Sequence, residues 1–370
     1  MQNCSHIIKP PFLKWVGNCF LLFLLLFSPA HAEDGAKELD KKEHQEVTDD
    51  SDNFITFVFE NDSIGSGTDQ NYTNGVRLTY LDLNAAVPDF FYKVTDYLPI
   101  LPDYLPTFDK KNKSTVYYSA GQNLYTPDDI GSPVQDPNDR PWAGFIYGSI
   151  GIFTETENYI DEMEVTFGIV GPLALGRQIQ TIVHRHVTNS TIPEGWDNQL
   201  ENEPGLILSW QRRWSDALPM DGLKISETKK LRLSVDPYFG ISLGNIYTYA
   251  SAGFSFRIST QKSRSSNTPL RVRPALPGTG YFRVSEEGWG WSLFGGIEGR
   301  AVARNIFLDG STFVSSHNVT KYPVVGDANL GIAFDVSRVR LSYTLVLRSK
   351  EFKTQDRSDL FGAVSLAYRF

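Results

Sequence analysis

From residue 53 to its last residue the chain repeats short segments in which apolar and polar side chains alternate. Nowhere after residue 32 does it carry an apolar run near the ~20 residues that a spanning helix requires. Segment 339–349 is the clearest, with Val339, Leu341, Tyr343, Leu345 and Leu347 on one side and Arg340, Ser342, Thr344 and Arg348 on the other. Comparable segments lie near 53–61, 75–84, 115–123, 143–153, 158–170, 206–215, 230–243, 247–258, 286–304, 324–335 and 361–370, which makes about twelve strands. Strands with one apolar and one polar face, an aromatic content of 13% and a mean hydropathy of -0.26 fit a wall with lipid outside and a polar interior. Because hydrocarbon offers no partner to an open sheet edge, the expected fold is all-β, a closed transmembrane antiparallel β-barrel of about twelve strands.

Both ends of the sequence agree with export. Lys9 and Lys14 precede an apolar run from Trp15 to Phe27 and a small-residue site at Ala30-His31-Ala32, so residues 1–32 read as a secretory signal peptide. Residues 33–52 are almost wholly polar, lack an aromatic, and are expected to form a disordered tail ahead of a barrel domain spanning 53–370. Both cysteines, Cys4 and Cys19, fall in the signal, which leaves the mature chain without a thiol, a disulfide or a cysteine metal site. Losing the signal removes two lysines and no acid, moving the formal charge from -8 to -10, and a nucleic-acid partner is not expected. The last segment, Phe361 to Phe370, alternates and ends on an aromatic. It resembles the closing strand of bacterial outer-membrane barrels, which implies recognition by the barrel assembly machinery, a place among outer-membrane lipids, and a monomer.

Strand parity gathers the polar chemistry at one rim. If the first strand runs outward from the periplasm, the connections after strands 1, 3 and 5 all lie on the external side, and these are the polar segments 61–74, 123–142 and 171–205. The segment Phe59 to Tyr80 places Asn61, Asp62, Asp69, Asn71, Thr73 and Asn74 between two alternating runs, a set of oxygen donors suited to a hard cation or an oxyanion clamp. The plainer reading is a polar hairpin turn. Segment 84–114, with four prolines, falls on the periplasmic side and carries no assignable chemistry.

Between strands 5 and 6 the period changes to that of a helix near 174–188. Leu175, Ile179, Ile182, Val183 and Val187 form one stripe, so the helix is expected to lie against the barrel wall. Gln180 and His184 share a face, and His186 points away from His184. Of six histidines only His184, His186 and His317 lie outside the signal and the tail. There is no HExxH, GxSxG or phosphate-loop pattern. What remains is a histidine base acting on water beside the Asn/Asp/Thr cluster, a combination suited to ester hydrolysis.

The strings FEND (Phe59 to Asp62), TDQNYTNG (Thr68 to Gly75), QNLYTPDD (Gln122 to Asp129), DRPWAG (Asp139 to Gly144), GIVGP (Gly168 to Pro172), VHRH (Val183 to His186) and GWDNQLENEPG (Gly195 to Gly205) resemble the outer-membrane lipid A deacylase family, LpxR. The match in order runs from about residue 53 to 215. The resemblance implies a twelve-stranded barrel in the bacterial outer membrane. Its active site would face the external leaflet and remove the 3'-linked acyloxyacyl chain of lipid A in lipopolysaccharide by ester hydrolysis, with calcium (Ca2+). Carried over by motif, His184 is the base that activates water, Asn61 and Asp62 hold calcium or shape the oxyanion site, and Thr73 supplies a hydroxyl. The family pattern places an acid shortly after the histidine, whereas here none occurs before Glu194, and Asp197 is the next candidate. Two alternatives stay open: a serine-type outer-membrane esterase or phospholipase, and a noncatalytic porin-like barrel.

Overall fold

The computed structural model describes residues 53–65, 71–91, 114–156, 158–188, 190–215, 220–224, 230–259 and 288–370. The signal, the tail and most of segment 84–114 lie outside the described residues. Thirteen strands follow in order: β1 (Phe54–Asn61), β2 (Asn71–Asp82), β3 (Ser114–Thr126), β4 (Ala143–Glu155), β5 (Tyr159–Val170), β6 (Glu203–Trp214), β7 (Met220–Lys224), β8 (Lys230–Gly244), β9 (Tyr247–Ser259), β10 (Trp289–Asn305), β11 (Val324–Val336), β12 (Val339–Arg348) and β13 (Asp359–Arg369).

Every neighbouring pair is antiparallel, and the sheet closes twice over. β1 pairs with β13 from Phe54↔Arg369 to Asn61↔Gly362, and β6 pairs with β8 from Ile207↔Gly244 to Arg213↔Tyr238. The short β7 pairs with the first residues of β8, below the stretch that β6 occupies, so β6 and β7 form one interrupted stave. The wall is therefore a closed barrel of twelve staves. Asn53 and Phe370 exchange main-chain hydrogen bonds of 2.9 Å each way, which puts both ends of the barrel sequence at one rim. The connections after β1, β3, β5, β8, β10 and β12 all lie at the opposite rim.

The alternation resolves as the sequence predicts. Leu78, Tyr118, Ile146, Phe167, Leu206, Leu243, Ile297, Leu330, Leu341 and Leu347 stand exposed on the outside. Inside are Arg77, Glu164, Glu298, Arg300, Asp327, Thr344 and Arg348, all buried. These charges are paired: Arg77 donates to Glu164 at 2.5 Å and to Ser119 at 2.9 Å, Tyr117 donates to Glu162 at 2.9 Å, and Arg212 grips Asp161 at 2.7 and 2.8 Å. Arg300 and Arg348 share Asp327, each reaching Oδ1 at 3.0 Å. Arg77 and Glu164 have no accessible surface at all, which a water-filled lumen lined by them would not allow.

A second layer seals the lumen toward the loop rim. There α1, the turn Ile306–Asp309 capped by the Asn305 side chain, turns Phe307 inward to stack on Tyr125 at 4.0 Å between centroids. Phe145, Tyr147, Tyr249, Val346 and Phe361 complete this apolar plug.

Removing one partner of a buried ion pair strands a charge in the interior. Arg77→Met is expected to lower barrel stability by about 3–5 kcal/mol, and the double change with Glu164→Leu by much less, as read from denaturant unfolding in lipid vesicles.

Candidate active site

The site builds from the outward face of the barrel where it meets the loop rim. Residues of one parity in β1 to β4 face lipid, and the same parity continued to the rim gives a cross-strand row of Asn61, Asn74, Leu124 and Gly144, each opposite the next. In lipid an outward asparagine would be costly, yet Asn61 is 8% exposed and Asn74 9%. The loop between β5 and β6 covers the Leu124–Gly144 end of this row.

That loop leaves β5 through Gly171 at φ 104, where a side chain would strike the Glu201 main chain at 2.6 Å, so only glycine makes the exit easily. A short 3-10 turn, Pro172–Ala174, follows, and the side-chain amide of Gln122 on the outer wall donates to the Ala174 carbonyl at 2.5 Å. Next comes α2, Gly176–Val183, which widens into a π-helical turn over His184–Thr188. Its inner face is Gly176, Gln180 and His184, all buried. A Cβ on Gly176 would meet the Trp196 ring at 2.4 Å and Leu124 at 3.1 Å, so the helix lies as close to the wall as a backbone can. The apolar stripe points the other way: Leu173, Leu175, Ile179 and Ile182 are exposed, as are Ile146, Phe167 and Ile169 on the outer wall. The helix thus lies against the wall as expected, with its polar face inward and its apolar face outward.

The three candidate residues on the wall come together. Asn61 ends β1, and its side-chain amide donates to the Thr73 carbonyl at 2.5 Å. Asp62, 4% exposed, begins a short helical turn, Asp62–Gly65. Thr73 sits at a bulge in β2, between Tyr72 and Asn74, and shares a 2.6 Å hydrogen bond with the Thr126 hydroxyl. His184 is 4% exposed, and its Nδ1 lies 2.5 Å from the Thr191 carbonyl. A carbonyl only accepts, so Nδ1 carries the proton and Nε2 is left as the basic nitrogen. His186 is exposed, and His317 Nε2 lies 2.6 Å from the Asp139 carbonyl on another part of the rim. The late acids do not enter the site: Glu194 is exposed, and Asp197 forms a surface ion pair with Arg177.

Motif reading alone missed the residues that hold the cover down. Trp142 and Trp196 pack at 5.2 Å with Leu124 and Ile130 around them, and the Trp196 ring nitrogen donates to Gln180 Oε1 at 2.7 Å. Glu194 N bonds the Ile130 carbonyl and Leu200 N the Trp142 carbonyl, both at 2.9 Å, so loops 127–142 and 171–202 form one body. In loop 127–142, Asp128 has its pKa raised by burial and by the neighbouring Asp139. The strings DRPWAG and GWDNQ carried the two tryptophans, and nothing in their spacing showed that they meet.

A family model described as "Outer membrane protein LpxR" matches residues 19–370. The chain belongs to the LpxR family. It is accordingly an outer-membrane protein, in keeping with its barrel. Among solved structures, LpxR from Salmonella typhimurium superposes with a TM-score of 0.66 at 18% identity, covering 85% of this chain and 99% of that one. The β domain of the Bordetella autotransporter BrkA gives a TM-score of 0.40 at 7% identity, covering 86% and 99%. No curated protein sequence matches the chain. The LpxR fold is thus shared over most of this chain.

The rim cover predicts its own sensitivity. Gly176→Val should push α2 off the Trp196 ring and lower activity at the site by at least tenfold. Heat-modifiable migration on gels should persist, because the closing strand pairs are untouched.

Proposed function

We propose that this LpxR-family protein is an outer-membrane lipid A deacylase. On this reading it removes the 3'-linked acyloxyacyl chain by attack of histidine-activated water on the ester, at the external leaflet. The observation that carries the reading is the pair of buried asparagines, Asn61 and Asn74, at the rim of the outer wall, in a row whose other end lies under a helix that carries a buried histidine. A site between the wall and an apolar-faced helix lies where acyl chains already are. The buried ion pairs and the apolar plug among the described residues disfavour a porin-like role.

Distance supports His184 as the base. The loop passes from β5 over β4 at Gly144 to β3 at Leu124, and Gly176 sits on Leu124. Eight residues of helix advance about 12 Å. Two strand spacings from β3 to β1 take about 9.6 Å. A helix running along the wall over that span would bring His184 toward Asn74, Asn61 and Thr73. Water attacks the acyl carbonyl carbon while His184 Nε2 takes its proton. Collapse of the tetrahedral intermediate breaks the ester C–O bond, and the same proton passes to the departing sugar oxygen, giving a free acid and a hydroxyl.

Asn61 and Asp62 are the residues that would hold Ca2+. Among the described residues no three His, Cys, Asp or Glu side chains gather into a metal cluster, and Asp62 would supply a carboxylate. A carboxamide, one carboxylate, main-chain carbonyls and water form an all-oxygen set that fits a hard, weakly held cation. When bound, calcium would stabilise negative charge on the ester oxygen.

His184→Ala should reduce deacylation by about 10²-fold or more, with His186→Ala much milder, since the first side chain is buried at the site and the second exposed. Lipid A product measured by mass spectrometry in matched membranes checks this; an inactive His186 variant beside an active His184 variant would show the base misassigned. Excess chelator should abolish activity, with calcium restoring it better than magnesium. Full activity in chelator would remove the metal from the reading.

A further inference from the structure

We infer that Gln180 is a catalytic residue whose side-chain amide donates a hydrogen bond to the carbonyl oxygen of the scissile ester as that oxygen becomes an anion. The inference rests on the deacylase reading and adds a residue to it.

Gln180 is 3% exposed, on the inner face of α2, one turn before His184. Its orientation is fixed by chemistry. The Trp196 ring nitrogen is a donor only, and it bonds one atom of the amide at 2.7 Å, so that atom is the oxygen. The amide nitrogen is therefore turned away from Trp196, and it is buried without a hydrogen-bond partner. A buried donor of this kind is uncommon in a folded protein and calls for an explanation. Its natural complement is an acceptor that arrives with substrate.

An ester carbonyl is such an acceptor, having lone pairs and no proton to give. The spacing suits the reaction, because side chains four apart on a helix stand about 5–6 Å from one another at Cβ. That interval leaves room for water at His184 and for the acyl carbon beyond it. The carbonyl oxygen then falls within donor range of Gln180. In the attack the carbonyl π electrons move onto that oxygen, and the Gln180 N–H, already desolvated, meets the developing charge. On collapse the electrons return, the C–O bond to the sugar breaks, and Gln180 keeps its protons throughout.

The test uses the purified full-length barrel in detergent with lipid A as substrate. Gln180→Glu preserves shape and an acceptor for Trp196 but replaces the donor with a like charge. Gln180→Met removes the donor without adding charge and covers the case in which a buried glutamate disrupts the loop. Both are expected to keep heat-modifiable migration, to change KM by no more than about threefold, and to lower kcat by about 10²-fold or more, the usual effect of losing one oxyanion donor. Trp196→Phe breaks the Trp196–Gln180 bond while keeping the amide, and is expected to lose much less. Parental kcat in the Gln180→Met variant, a change in KM alone, an equal loss in Trp196→Phe, or loss of fold in both Gln180 variants would overturn the assignment. A parent protein inactive on lipid A would instead overturn the functional reading itself, and the parent arm alone reveals that.

Discussion

Hydrocarbon cannot hydrogen-bond a peptide group, and this barrel answers that constraint by joining its first strand to its last from Phe54↔Arg369 to Asn61↔Gly362. Once the sheet is closed, each residue's facing follows from its parity. Outward positions must be apolar, and inward ones can be charged provided they are paired. The Arg77–Glu164, Arg212–Asp161 and Arg300–Asp327–Arg348 contacts are that pairing. With Phe307 stacked over Tyr125, the interior becomes a solid support. The chemistry then has only the rim and the outer wall to occupy.

The rim site is a local exception to the facing rule. Asn61 and Asn74 continue the lipid-facing parity as polar residues, and burial makes that tolerable. The cover needs small residues where it crosses the wall: Gly171 to leave β5, and Gly144 and Gly176 where loop and strand backbones approach. Its tryptophan pair ties it to the next loop. A helix with polar residues facing the wall and Leu175, Ile179 and Ile182 facing lipid suits a substrate whose reactive ester lies near the top of the acyl region.

Much of this was legible in the sequence because a period of two is read without knowing the partner strand. All twelve segments became staves. The exceptions have local causes. β2 begins at Asn71 rather than near 75, because the bulge at Thr73 slips the alternation by one residue. β7 is too short to register as a period. The helix at 174–188 was visible, as was the shared face of Gln180 and His184. Its apolar stripe reads naturally as the face turned to the protein, an inference that holds in water and reverses where the solvent is lipid. The loop interlock through Trp142 and Trp196 depends on contacts between segments about fifty residues apart, which no local pattern encodes. The missing acid after His184 was also legible, and Glu194 and Asp197 are both exposed, Asp197 in a surface ion pair with Arg177.

The central claim, that the rim site on the outer wall hydrolyses an ester of lipid A, is tested most directly on the lipid itself. Lipid A extracted from outer membranes with and without this protein can be compared by mass spectrometry. The account predicts that the protein's presence yields a species lighter by one acyloxyacyl group, with the matching free acid and a new hydroxyl at the 3' position. An identical lipid A mass profile in both membranes, with the barrel assembled and calcium supplied, would contradict it.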